Sequence, residues 1–285
     1  MPYKLIAIDL DGTLLSPHGN VTPRVKEAVH RVLSAGMLVC FATGRNWTES
    51  RVVLEAIEHF DHAVFVGGAM VVDTKRKVTV HRTLMEPTLA AEVCEVLEKS
   101  GHAVLALQDT EQAGLDYLIS GDIEPNASTQ LWMAITKSVV RRVSRLSEHK
   151  HEHTIRLGIV APPADTEKLQ KELGERFGGR VFCHSIAVTG QGVDVLEIFD
   201  PSVNKWQGIM HVAKAHGILP EEIVAIGDDL NDLHMLENAG LGVAMGNAHP
   251  RAKAAAKRVI GTNREEGLAI FLDELVETGA VVGEV

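Results

Sequence analysis

The stretch Lys4–Leu15, KLIAIDLDGTLL, carries an apolar run straight into two aspartates, Asp9 and Asp11, and then into Gly12 and Thr13. A short continuous apolar run bounded by turn residues reads as a strand covered on both faces. Such a strand has no need of two closely spaced carboxylates at its end, where like charges repel. The pattern implies a positively charged neighbour, or a reaction that uses a carboxylate.

Outward from that strand the chain alternates. Thr22-Pro23 opens a helix, with proline at its first position. Val25, Ala28, Val29, Val32 and Leu33 recur at helical spacing until Gly36. Met37–Ala42 is a second apolar strand, a helix is expected from about Glu49 to His59, and HAVFVGG gives a third strand. AMVVDTKRKVTVHR then reads as a hairpin turning at Thr74–Lys77. A helix from Pro87 to about Ser100, short strands, polar loops and a helix near Thr166–Phe177 fill the stretch to Ile198. From Asn204 the alternation returns, with a helix to His216, the strand of EIVAIGDD, a short helix, GLGVAMG and a last helix from about Glu265. These alternations predict an α/β fold: a Rossmann-like parallel-sheet core (residues 1–83 and 199–285) with a large inserted α+β domain (residues 84–198).

Composition narrows the class. A chain of 285 residues suits two domains or one domain with an insertion, and 45% hydrophobic residues suit a packed globular protein. The net charge of −10 argues against a nucleic-acid partner. No apolar stretch is long enough for a membrane span, and the N-terminal run ends in aspartate without a signal-peptide cleavage site. Cys40, Cys94 and Cys183 form no CxxC pair and are expected as reduced apolar residues of a cytoplasmic protein. A monomer or small homo-oligomer is expected.

Four segments concentrate chemistry: Asp9–Thr13, Thr43-Gly44-Arg45, Lys205 at a helix start, and Gly227–Asp232. Each lies at the end of a predicted core strand or opens a helix, and the carboxyl edge of an open α/β sheet is where ligands bind. DLDGTLL, ATGR and GDDLNDLHML, in this order and with a long gap before Lys205, resemble the haloacid dehalogenase-like hydrolase superfamily and its Cof-type subgroup. The resemblance spans essentially the whole chain, by motif in the core and by layout in the middle, and it implies that the inserted α+β domain is a cap domain that sets substrate specificity.

A carboxylate can attack phosphorus and split hydrolysis into two easier steps. The resemblance implies that Asp9 is this nucleophile. Asp11 lies on the same side if the chain stays extended, where it can protonate the leaving oxygen and later deprotonate water. Halide leaves unprotonated, so Asp11 favours phosphate esters over carbon–halogen bonds. Asp9, Asp11 and Asp228 beside a phosphate would concentrate negative charge; two such charges about 4 Å apart repel by roughly 4 kcal/mol at an effective dielectric near ~20. Mg2+ relieves this, and the resemblance assigns it the side chains of Asp9 and Asp228 and the backbone carbonyl of Asp11. Asn231 and Asp232 are then expected to hold the lysine and metal in place. Thr43 offers a hydroxyl, Gly44 an unobstructed N–H, and Lys205 a cation for the transferring oxygens. Arg45 touches substrate or braces its loop; Asp229 is a helix-start aspartate or functional. Asn247 matches a family position near the site, with a helix cap as its alternative. Trp206 stands where the family often has glycine, which bears on local helix packing.

The implied function is a Mg2+-dependent phosphatase of small phosphorylated metabolites (sugar phosphates or phosphorylated cofactors) working through an aspartyl-phosphate. The alternatives are a sugar phosphomutase or a catalytically idle metabolite-binding protein. Arg141, Arg142 and Arg145 read as a solvated helical face, His149, His151 and His153 as a solvated loop or strand edge, and Gly190–Gly192 as a hairpin turn.

Overall fold

The computed structural model describes residues 3–58, 61–188 and 190–278. The chain divides into two units, one joining the chain up to His81 to the chain from Asn204 onward, the other being Arg82–Val203.

The first unit opens with β1 (Leu5–Asp9), buried at every residue. Then come α1 (Pro23–Ser34), β2 (Leu38–Ala42), α2 (Trp47–Ile57), β3 (His62–Phe65), β4 (Met70–Asp73) and β5 (Val78–Arg82). Thr22 caps α1 by accepting the Val25 N–H at 3.3 Å, and Asn46 with Glu49 forms a capping box on α2. Helix α2 ends at Ile57; His59, expected as its last residue, lies outside the described residues.

The inserted unit holds α3 (Pro87–Glu98), β6 (Leu105–Gln108), α4 (Thr110–Ala113), β7 (Tyr117–Ser120), α5 (Ala127–Thr136), β8 (Val140–Val143), β9 (Thr154–Ala161), α6 (Pro163–Phe177), β10 (Phe182–Val188) and β11 (Val193–Phe199). The first unit resumes with α7 (Lys205–Ala215), β12 (Ile223–Gly227), α8 (Leu233–Asn238), β13 (Leu241–Ala244), α9 (Pro250–Ala255), β14 (Arg258–Val259) and α10 (Gly267–Glu277).

Eight strands of the first unit form one sheet in the order β14-β13-β12-β1-β2-β3-β4-β5. From β14 to β3 neighbours run parallel, and β4 runs antiparallel to β3. Leu5 and Ala7 of β1 pack with Cys40, Val64 and Val71, and with Ile209, Val212 and Ala213 of α7. Ile6 and Ile8 point the other way and are equally buried. Burial on both faces explains why these strands are apolar throughout rather than alternating.

The inserted unit has a six-stranded sheet, β10-β11-β9-β6-β7-β8, antiparallel except for the β7–β8 pair. Leu157, Ile159, Leu196 and Ile198 join Val93, Leu97, Leu169 and Leu173 of α3 and α6 in its core. The alternate residues lie on the opposite face, where Arg156 pairs with Glu197, His184 Nε2 lies 3.2 Å from Glu197 Oε2, and Arg156 donates to the Tyr117 hydroxyl at 3.1 Å.

Two expectations for this region are corrected. Arg141 and Arg142 lie on a strand, β8, and not on a helical face, because β7 offers Val140–Val143 a full parallel partner. His151 is neither solvated nor at a strand edge: it is fully buried, with Nδ1 2.9 Å from Thr154 Oγ1 and Nε2 2.7 Å from the Leu146 carbonyl. Gly190 and Gly192 have φ of 75° and 66°, the left-handed conformation that a tight β10–β11 connection demands.

Burial works against a charged Glu197, yet Arg156 and His184 hold its carboxyl below the usual range. Glu197→Gln leaves Arg156 buried without its counter-charge and should cost about 3–5 kcal/mol. Because the folded value lies below the unfolded one, this contribution is complete above about pH 4.3 and is lost as pH falls through the folded value. Denaturant titrations from pH 3 to 7 should show the wild type losing its advantage over the variant only at the acid end.

Candidate active site

Parallel pairing places the chemistry. Asp9 lies opposite Ala42 on β2, and Ile8 lies opposite Ile226 on β12. Thr43–Arg45 and Asp228–Asp232 therefore leave the sheet at the same carboxyl edge as Asp9, where strand order reverses. After Asp9 the chain does not stay extended. It turns back, with the Leu15 N–H donating to the Leu10 carbonyl at 2.9 Å and Gly12 at φ 81°. A Cβ on Gly12 would stand 2.0 Å from Asp228 Oδ2, so only glycine lets this turn meet the β12 segment.

The centre is Lys205, the first residue of α7 and 1% exposed. Its Nζ donates to Asp9 Oδ1 at 2.6 Å and to Asp232 Oδ1 at 2.7 Å. The other Asp232 oxygen accepts the N–H groups of Asp228 (2.9 Å) and Asp229 (3.0 Å). Burial would push the Lys205 ammonium down, but Asp232 and Asp9 hold it above its usual value. Burial drives Asp9 well above the ordinary carboxylate range, against the pull of Lys205 and with Asp232 and Asp228 adding to the rise. Asp228 is raised to about 7, by burial first and then by Asp232 and Asp229.

Arg45 meets Asp11: its Nε and Nη2 donate to the two oxygens of Asp11 at 2.8 and 2.5 Å. That clamp, and not strand periodicity, places Asp11. Thr43 is buried, and its Oγ1 accepts the Arg45 N–H at 3.1 Å, leaving its own proton for another acceptor. Gly44 is not required by its backbone; a Cβ there would come within 3.8 Å of Asn231 Nδ2. Of the two residues expected to hold the lysine and metal in place, Asp232 binds Lys205, together with Asp9. The Asn231 Oδ1 is instead buried with no hydrogen-bond partner among the described residues. Asp229 caps the turn that follows, accepting the Leu230 N–H at 2.7 Å. Asn247 donates to the Gly12 carbonyl at 2.9 Å and to Asp228 Oδ2 at 3.3 Å, while His249 takes the α9 cap.

Two glycines escaped the reading of the sequence. A Cβ on Gly68 would lie 2.0 Å from the Asn204 carbonyl, so Gly68 lets the start of α7 settle against the β3–β4 turn. A Cβ on Gly208 would lie 2.4 Å from Val64 Cγ1. Glycine inside a helix costs about 1 kcal/mol and so signals close packing; Gly208 was legible on that ground. It supplies the close approach that Trp206 cannot, and Trp206 packs partly buried on the core.

The donors suit a hard dication. Asp9, Asp228 and Asp232 each bring an oxygen within 4.8 Å of the others. Asp232 spends both oxygens on protein hydrogen bonds, which leaves Asp9 and Asp228 as the side chains to hold an ion. Lys205 pairs with Asp9 and Asp232 and leaves Asp228 without a bonded cation, and Asp228 is raised to about 7 by burial first, with Asp232 and Asp229 adding to it. An all-oxygen set favours Mg2+ or a similar hard ion over zinc or copper.

Comparison with known proteins agrees with this geometry. A sequence profile of haloacid dehalogenase-like hydrolases matches residues 6–272. A 5-amino-6-(5-phospho-D-ribitylamino)uracil phosphatase of Bacillus subtilis is 30% identical over 292 residues, covering 96% of this chain and 98% of that protein. A pyridoxal phosphate phosphatase of Escherichia coli is 28% identical over 275 residues, covering 95% and 98%. A crystal structure from Thermotoga maritima superposes with a TM-score of 0.78 at 26% identity, covering 95% of this chain and 97% of that one. With an aspartate-tipped first strand, a lysine returning after the insertion and the acidic turn after β12 all meeting at one sheet edge, this chain belongs to the haloacid dehalogenase-like hydrolase family, in its Cof-type branch.

Proposed function

We propose that this chain is a Mg2+-dependent phosphatase of small phosphorylated metabolites, working through a phosphoryl group carried on Asp9. The observation that supports it best is the buried Asp9–Lys205–Asp232 bridge with Asp228 beside it. A merely structural lysine would not be packed among more carboxylates than it can neutralise.

Asp9 attacks phosphorus through its carboxylate, and the ester oxygen leaves with a proton from Asp11. Asp11 then takes a proton from the water that cleaves the acyl phosphate, so that Asp9 ends as the carboxylate and Asp11 as the carboxylic acid with which each began. Arg45 fixes Asp11 by its two-point contact, so the acid is oriented before substrate arrives. Lys205 holds Asp9 in one rotamer and offsets charge on the transferring oxygens, while Thr43, Gly44 and Asn231 supply neutral donors. Mg2+, held by Asp9 and Asp228, would neutralise the phosphate and screen the two carboxylates from it.

Relatives named for a ribitylaminouracil phosphate and for pyridoxal phosphate favour a small phosphorylated metabolite. We assign substrate choice to the inserted unit, whose sheet carries Tyr117, Arg156, His184 and Glu197 on the face opposite its core. The three cysteines are all free, in keeping with a cytoplasmic enzyme.

Asp9→Asn keeps size and an acceptor for Lys205 but removes the nucleophile. Phosphate release from an aryl phosphate should fall by roughly a thousandfold or more with the melting temperature nearly unchanged; near-normal turnover would refute the assignment. EDTA should stop wild-type turnover and added Mg2+ restore it, and activity indifferent to chelator would remove the metal from the scheme. Arg45→Ala frees Asp11, and kcat should drop on the order of tenfold to a hundredfold. An unchanged kcat with a raised KM would instead make Arg45 a substrate contact.

A further inference from the structure

Among the described residues a second group brings three metal-ligand atoms within 4.8 Å of one another, and it lies outside the acidic centre: Asp61, His62 and His216. Asp61 and His62 stand at the start of β3, and His216 is the residue that ends α7. Chain distance separates them, and the fold brings them together. The backbone under this group is pinned. Both the N–H and the hydroxyl of Thr74 donate to the Asp61 carbonyl, at 3.2 and 2.7 Å. The His216 N–H donates to the Ala213 carbonyl at 3.1 Å.

The side chains face one another. His62 Nδ1 lies 2.9 Å from Asp61 Oδ1, and the rings of His62 and His216 meet edge to face with centroids 6.2 Å apart. Tetrahedral zinc with bonds of about 2.0–2.1 Å needs donors about 3.4 Å apart. The three ligand atoms now lie within 4.8 Å of one another, and His216 is exposed, where its ring has room to turn. Two imidazoles and one carboxylate form a borderline donor set that prefers zinc to magnesium, the reverse of the all-oxygen acidic centre. The carbonyl end of a helix also favours a cation, and His216 sits at that end of α7.

We propose that Asp61, His62 and His216 form a site for a divalent transition-metal ion of the zinc class, with water completing the coordination. A bound ion ties the end of α7 to the start of β3, and α7 is the helix whose first residue is Lys205. The ion is structural: it sits at the far end of α7, about 16 Å of helix rise from Lys205.

The test uses the full chain, stripped of metal and held in excess Mg2+ to occupy the acidic centre. Zn2+ is titrated in competition with a chromogenic chelator, and Co2+ is added separately to read the visible absorption of a four-coordinate ion. One equivalent of Zn2+ per chain is expected, with a higher melting temperature. His216→Ala, at an exposed position, should weaken Zn2+ binding at least roughly tenfold while leaving the metal-free melting temperature in place, and His62→Ala should do the same. Asp9→Asn should bind Zn2+ as the wild type does. Absence of a Zn2+ equivalent in excess Mg2+, full affinity in His216→Ala, or loss of binding in Asp9→Asn would each overturn the proposal.

Discussion

A single buried ammonium holds this site in register. Lys205 donates to Asp9 at 2.6 Å and to Asp232 at 2.7 Å, and so joins three segments that the sequence keeps far apart. Removing one partner of a buried charge pair costs about 3–5 kcal/mol, because the charge left behind has no water to turn to. Here the loss would strand two carboxylates at once. Asp232, once anchored by Lys205, turns its second oxygen to the N–H groups of Asp228 and Asp229 and so sets the course of the chain through Asp228. Gly227 exists for the same contact, since a Cβ there would meet Asp232 at 2.5 Å.

The same bridge explains how the core tolerates an insertion of more than a hundred residues' span, from Arg82 to Val203. The entropy of closing a loop grows only with the logarithm of its length, so a long excursion is inexpensive if its return point is fixed. That return point is Asn204–Lys205. Asn204 caps α7 by accepting the Gln207 N–H at 3.0 Å, and its carbonyl rests where Gly68 has no side chain. Lys205 is thus also the latch by which the chain re-enters the core.

The strand ends and helix starts were legible because they follow from local rules. Apolar runs, proline at the start of α1, and acidic residues after β1 and β12 all lie within a few residues of one another. What escaped reading depends on contacts across the fold. The Arg45–Asp11 clamp joins residues of two different loops, and no periodicity announces it. Asn247 was visible as a site residue, but that it would bind the Gly12 carbonyl rather than cap α9 required the turn at Gly12 to be known. His151 looked solvated in a run of alternating polar residues; two hydrogen bonds to partners within five residues pay for its burial.

The turn that receives α7 shows how firmly the Thr43–Arg45 loop is held. Val66 is fully buried and has φ 53°, a conformation that a β-branched residue adopts only under strain of about 1–3 kcal/mol. Its N–H donates to the Arg45 carbonyl at 2.9 Å, and the next N–H, from Gly67, donates to the Thr43 carbonyl at 3.0 Å. Both bonds run from the strained turn to the Thr43–Arg45 loop. A relaxed Val66 would aim these donors elsewhere and release the loop whose arginine orients Asp11. The strain is therefore the local cost of a fixed Asp11, and it is borne in a part of the fold where Phe65, Val66 and Ala69 are buried tightly enough to enforce it.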